Sequence, residues 1–123
     1  FAAVDNRNVC PTGWHVPTDA EWTILTDHLG GESVAGGKMK ETGTAHWANP
    51  NTGADDESGF NALPGGIHRG LGTSEDKGTL AHFWSSTYSG TDGYSRMMYY
   101  NYNYVYREIG GLRPGFSVRC IKD

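Results

Sequence analysis

Cys10-Pro11-Thr12-Gly13-Trp14-His15-Val16-Pro17-Thr18-Asp19-Ala20-Glu21-Trp22 passes from extended chain into a helix within a few residues. Two prolines and a glycine hold its first half open, so only Trp14–Val16 reads as strand. Thr18 and Glu21 then stand at capping-box spacing: the hydroxyl takes an orphan N–H of the first turn and the carboxylate reaches back to the cap. Beyond them Trp22, Leu25 and Leu29 fall on one helical face, with Ile24 and His28 beside it. Gly30-Gly31 supplies the stop. The helix is expected over Thr18–Leu29.

Working outward, a second short helix is expected near Ser33–Ala35, weakened by Gly36-Gly37, with Lys38–Glu41 equally readable as extended. Ala45-His46-Trp47 marks a buried tryptophan. Asn49–Gly59 is turn-rich and without periodicity, a length of loop that is usually functional or stapled from within. Gly65–Gly70 reads as a strand approached closely by another backbone. Residues 71–79 read as a polar turn and Leu80–Ser86 as a buried strand. Ser95–Tyr100 and Asn103–Arg107 read as a hairpin about Asn101-Tyr102. Phe116–Ile121 alternates apolar and polar. Phe1–Val4 reads as the tail of an element that begins upstream, so a longer protein is expected.

All seven tyrosines lie between Tyr88 and Tyr106, interleaved with Asn, Ser and Gly. Tyr offers a large contact area for two torsions, and its small polar neighbours offer adaptable hydrogen bonds, the mixture of a recognition surface. Buried hairpins favour Val, Ile and Phe instead. The candidate ligand-binding residues are therefore Tyr88, Tyr94, Arg96, Tyr99, Tyr100, Asn101, Tyr102, Asn103, Tyr104, Tyr106 and Arg107. Strand alternation turns about half of the tyrosines toward the core. The even-numbered ones share a face only if no irregularity intervenes.

At 123 residues the chain is one domain. Its net charge is −4, acidic up to residue 93 and basic beyond it. An overall basic footprint is missing, which argues against nucleic acid as the partner. No apolar run is long enough to span a bilayer. Cys10 and Cys120 are too far apart in sequence for a local zinc knuckle. A disulfide joining the first and last strands is the natural reading, with two buried free thiols as the alternative; a disulfide implies an extracytoplasmic setting.

Five blocks carry a family resemblance: Asn8–Trp22, Ala35-Gly36-Gly37-Lys38-Met39-Lys40, Ser58-Gly59-Phe60-Asn61-Ala62-Leu63-Pro64-Gly65-Gly66, Phe83-Trp84-Ser85-Ser86-Thr87, and Gly115-Phe116-Ser117-Val118-Arg119-Cys120. Taken in order they resemble the Fibrobacter succinogenes major paralogous domain of bacterial surface and secreted proteins. His15–Trp22, Gly65-Gly66 and Gly115–Arg119 are also similar to blocks of the formylglycine-generating-enzyme fold, a variant of the C-type lectin fold. That resemblance implies a small α+β domain with short antiparallel sheets, one or two helices and long loops. Its ends would meet in one sheet, in agreement with a Cys10–Cys120 pair, and its ligand contacts would come late in the chain. Variable proteins of diversity-generating retroelements share this fold and vary in a stretch placed like Tyr88–Arg113.

The catalytic cysteines of formylglycine-generating enzymes are not matched, so the resemblance implies fold without activity. There is no Gly-x-Ser-x-Gly elbow and no His-x-x-x-His pair. Asn51, Asp55, Asp56 and Glu57 supply hard oxygens for a possible calcium site, against the plainer reading of a solvated acidic loop. The expected function is extracellular binding of a glycan or a protein. The rival is a structural or tip domain of a surface appendage, and an enzyme stands third.

Overall fold

The computed structural model describes residues 9–70 and 72–123. The expectations for Phe1–Val4 and for Leu71 lie outside the described residues. Within them are β1 (Trp14–His15), α1 (Asp19–His28), α2 (Glu32–Met39), β2 (Ile67–Arg69), β3 (Thr73–Glu75), β4 (Leu80–Ser89), β5 (Asp92–Tyr99), β6 (Val105–Gly111) and β7 (Ile121–Lys122). The chain is α+β, with two helices and short antiparallel sheets.

The capping box forms. The Glu21 amide donates to Thr18 Oγ1 at 3.1 Å and the Thr18 amide to Glu21 Oε2 at 2.8 Å. Thr18 and Leu29 are the caps, and Gly30 and Gly31 turn the chain at positive φ. The buried positions are Trp22, Thr26 and Leu29, while Leu25 is only partly covered. Thr26 joins the buried face because its hydroxyl is satisfied within the helix, donating to the Trp22 carbonyl at 2.8 Å.

The second helix is longer than its glycines predict. α2 runs through Gly36-Gly37, at an intrinsic cost of about 1 kcal/mol per glycine. The reason is space. A Cβ on Gly36 would run into the carbonyl oxygens of Tyr104 and Asn103, and one on Gly37 into that of Gly53. The expected turn over residues 71–79 is also corrected: Thr73–Glu75 pairs with Ile67–Arg69 as a small hairpin.

β4, β5 and β6 form an antiparallel meander in that order, with an irregularity in the β4–β5 register between Trp84 and Tyr88. Each face of this sheet carries its own core. α1, α2 and the loop that follows them cover Ala81, Phe83, Met98 and Val105 with Trp22, Leu29, Ala35, Met39 and Trp47. Trp84 and Leu112 pack with Cys10, Val16, Phe116 and Cys120 on the other face. Trp47 is buried, its indole N–H donating to the Ala62 carbonyl at 2.9 Å. Trp14, on the short strand β1, is exposed. β1 and β7 pair the two ends of the domain. Beside them Cys10 and Cys120 form a disulfide across 110 residues, their Cα atoms 5.8 Å apart.

Candidate recognition surface

The register of β5 against β6 decides which tyrosines meet. Tyr94 lies opposite Ile109, and Met97 opposite Tyr106. Paired residues thus have opposite parity, so an even residue on β5 shares its face with an odd one on β6. The even-numbered tyrosines are divided accordingly. Tyr106 meets Tyr99, ring centroids 5.9 Å apart, while Tyr94 turns to the helix side.

The turn after β5 adds two more rings to the Tyr99–Tyr106 pair. Tyr102 lies 6.2 Å from Tyr99, Tyr104 lies 6.2 Å from Tyr102, and Tyr104 lies 5.7 Å from Tyr106. The four rings close a cycle of edge-on and tilted contacts, the geometry that ring quadrupoles prefer. Tyr102 and Tyr104 remain 45% and 43% exposed. Burial, followed by the nearby Glu108 carboxylate, pushes the Tyr99 hydroxyl up from its ordinary value. The patch offers ring faces and edges with neutral donors and acceptors. Asn101 is exposed in the same turn.

The turn itself is tightly held. The Tyr100 amide donates to the Thr79 carbonyl at 3.0 Å, and its carbonyl accepts from the Thr52 amide at 2.8 Å. The Asn103 carbonyl accepts from Gly37, and its side-chain oxygen lies against Gly53. Tyr100 packs on the core. Tyr100 and Asn103 therefore serve the turn's shape. Lys40 reaches the same turn from the end of α2: its ammonium donates to the carbonyls of Thr52, Tyr99 and Tyr102, each at 2.9 Å.

Arg96 is not on this surface. It is buried, donating to Asp19 Oδ1 at 2.7 Å, to the Asp19 carbonyl and to Thr23 Oγ1. Its even number on β5 puts it on the helix side, where only an ion pair makes its burial tolerable. Arg107 joins the same carboxylate through Nε and Nη2 and stacks over Tyr94 at 4.6 Å. Burial pushes the Asp19 carboxyl up, but the hydrogen bonds from Arg107 and Arg96 outweigh it and hold it below its ordinary value. Tyr88 lies at the far end of the sheet, exposed beside the β4–β5 turn. Of the eleven residues proposed from sequence, the structure groups Tyr99, Tyr102, Tyr104, Tyr106 and Asn101.

The acidic loop is stapled from within. Asp55 accepts from the Glu57 amide at 2.9 Å, Asp56 from the Asn61 amide at 2.8 Å, and Glu57 pairs with Lys38 at 3.2 Å. Asn51 is buried, its amide donating to the carbonyls of Glu41 and Gly43. Among the described residues no group of three or more His, Cys, Asp or Glu converges as a metal site.

Three residues with long-range roles were not legible as such. Asp19 sits in an ordinary-looking helical context and Lys40 in a segment readable as helix or strand, and their partners lie 12 to 88 residues away. His82 is buried against Ser95, Nε2 to Oγ 2.8 Å, with Phe116 stacked on its ring at 3.6 Å. Burial pushes its pKa down to about 4, too weak a base to activate a hydroxyl near neutral pH. None of the candidate site residues lines the apolar groove of about 410 Å³ beside α1, which is bounded by Pro17, Trp22, Leu25, Phe60 and Ile121.

The family model of the Fibrobacter succinogenes major domain matches residues 1–122. No curated protein and no solved structure matches the chain.

Proposed function

Since the chain belongs to the Fibrobacter succinogenes major domain family, we propose that it is an extracytoplasmic recognition module of C-type-lectin-like fold, which captures a glycan or a protein through Tyr99, Tyr102, Tyr104 and Tyr106. One observation carries the reading: four tyrosine rings close a cycle of contacts, two on the paired strands β5 and β6 and two well exposed on a turn held by backbone bonds to two other loops. Ordering such rings in advance lowers the entropic cost of binding. Aromatic anchors of this kind supply much of the energy at protein contacts. Their faces stack equally on the C–H surfaces of sugars.

Two further observations support the setting and the fold. The Cys10–Cys120 disulfide suits an oxidising compartment. No helix among the described residues is long and apolar enough to cross a membrane. The paired ends, the small α+β layout and the long loops support the lectin-like reading of the fold. The reading includes no catalytic step, and the internal bonding of Asp55, Asp56 and Glu57 supports binding without calcium.

The test is a screen of the purified domain against a glycan array and a panel of cell-surface proteins, with calcium and with a chelator, beside the double variant Tyr102→Ala, Tyr104→Ala. Capture that the double variant loses, in both buffers, supports the reading. A defined oligomer that the double variant dissociates, with nothing captured, replaces it with an assembly role for the same patch.

A further inference from the structure

Lys40 is the one described lysine that is fully buried. Its backbone is fixed on both sides by Ala62, which donates to the Met39 carbonyl at 2.8 Å and accepts from the Glu41 amide at 3.1 Å. The stem passes the Trp47 ring, with Nζ 5.4 Å from the centroid. The ammonium then ends among the carbonyls of Thr52, Tyr99 and Tyr102. Among the described residues no ion pair joins it to a carboxylate.

Burying an ammonium without a counter-ion is unfavourable. If this position only filled space, Met would fill it at less cost. What the charge supplies is three donors converging on three carbonyls. One lies just before the tyrosine turn (Tyr99), one within it (Tyr102), and the third belongs to the facing loop. Burial pushes the pKa down to about 8, so at pH 7 the group still carries all three protons. Three carbonyl oxygens around one positive centre is also how a loop holds a small cation, and here the cation is part of the chain.

We infer that Lys40 is a positioning residue for the tyrosine surface, an internal cation that ties the 100–104 turn to the loop at Thr52 and presents Tyr102 and Tyr104 preformed without a metal. This rests on the reading of that surface as the binding face.

Amide hydrogen exchange at pH 7 on the native protein and on Lys40→Met tests it. The amides of Gly37, Thr52 and Tyr100 bond within or onto the turn, and those inside β4 and β5 report the sheet. The expected result is exchange about tenfold or more faster in the turn set, with the sheet set much less affected, as for a local opening. Equal acceleration of both sets, or none, overturns the inference. Calcium added to the native protein is expected to leave the turn set unchanged, and slowing by calcium contradicts an internal cation.

Should Lys40→Met fail to fold, the native protein still decides the matter. A ¹⁵N spectrum of its lysine ammonium groups is expected to show protected Lys40 protons coupled to the carbonyls of Thr52, Tyr99 and Tyr102. A freely exchanging group overturns the inference. If a captured ligand binds Lys40→Met as well as it binds the native domain, the positioning role falls and the recognition reading stands. A loosened turn on a domain that captures nothing leaves a structural tie only, and the positioning claim falls with the recognition reading.

Discussion

His82 ties the chemistry of one side chain to the acid stability of the whole sheet. Its ring is sealed between Ser95 and Phe116, and burial pushes its pKa from 6.5 to about 4. Between those values the unfolded chain takes up a proton that the folded chain refuses. The stabilisation is therefore complete above pH 6.5 and is lost as pH falls through the window, by at most about 3 kcal/mol. The depressed Asp19 carboxyl extends the loss to lower pH, since its contribution disappears as pH falls below the ordinary carboxylate range. Denaturant unfolding of the native protein at pH 7, 5.5 and 4 is expected to show this decline, and His82→Phe is expected to flatten it; equal slopes would contradict the assignment. Such roles escape a reading of the sequence for a physical reason. Arg96, Lys40 and His82 are polar types that normally face water. Each is buried here by partners far along the chain, and no local pattern announces them.

At the scale of elements, α2 shows propensity and packing in opposition. In an ordinary helix interior Gly36→Ala would stabilise by about 1 kcal/mol. Here the new methyl would meet the carbonyls of Tyr104 and Asn103. The clash is expected to win, giving a net destabilisation of about 1–3 kcal/mol by the usual cost of overpacking. Shifts of the Tyr102 and Tyr104 resonances should accompany it, and a stabilised variant with an unmoved turn would contradict the packing. The same glycines made the second helix look shorter than it is, because the backbone they admit belongs to residues 103 and 104. α1 was legible almost to the residue, since its capping box and glycine stop are local. The hairpin was legible as an element, but its tyrosine face was not. The five-residue turn sets the parity of the pairing, and that parity puts Tyr106 with Tyr99 while Arg96 and Tyr94 go to the helix side.

For the whole molecule, the disulfide and the β1–β7 pair close a chain whose two sheet faces carry separate cores. The pairing of Cys10 with Cys120 was legible because no other cysteines compete. Reduction reopens a loop of 110 residues, with an expected loss of about 4–5 kcal/mol in the chain-entropy model. Denaturant midpoints with and without reductant check this, and coincident midpoints would contradict a structural bond. The proposed recognition surface belongs to the same whole, since Tyr102 and Tyr104 sit on a turn held by α2, by the loop at Thr52 and by Thr79. The most direct test is the affinity of the native domain for a glycan or surface protein captured in the screen, compared with Tyr102→Ala, Tyr104→Ala and with Ile24→Ala on the outer side of α1. The tyrosine variant is expected to bind at least about tenfold more weakly, a loss of about 1.4 kcal/mol or more, with Ile24→Ala unchanged. Equal affinity of the native and tyrosine-variant domains would contradict the tyrosine patch as the recognition surface.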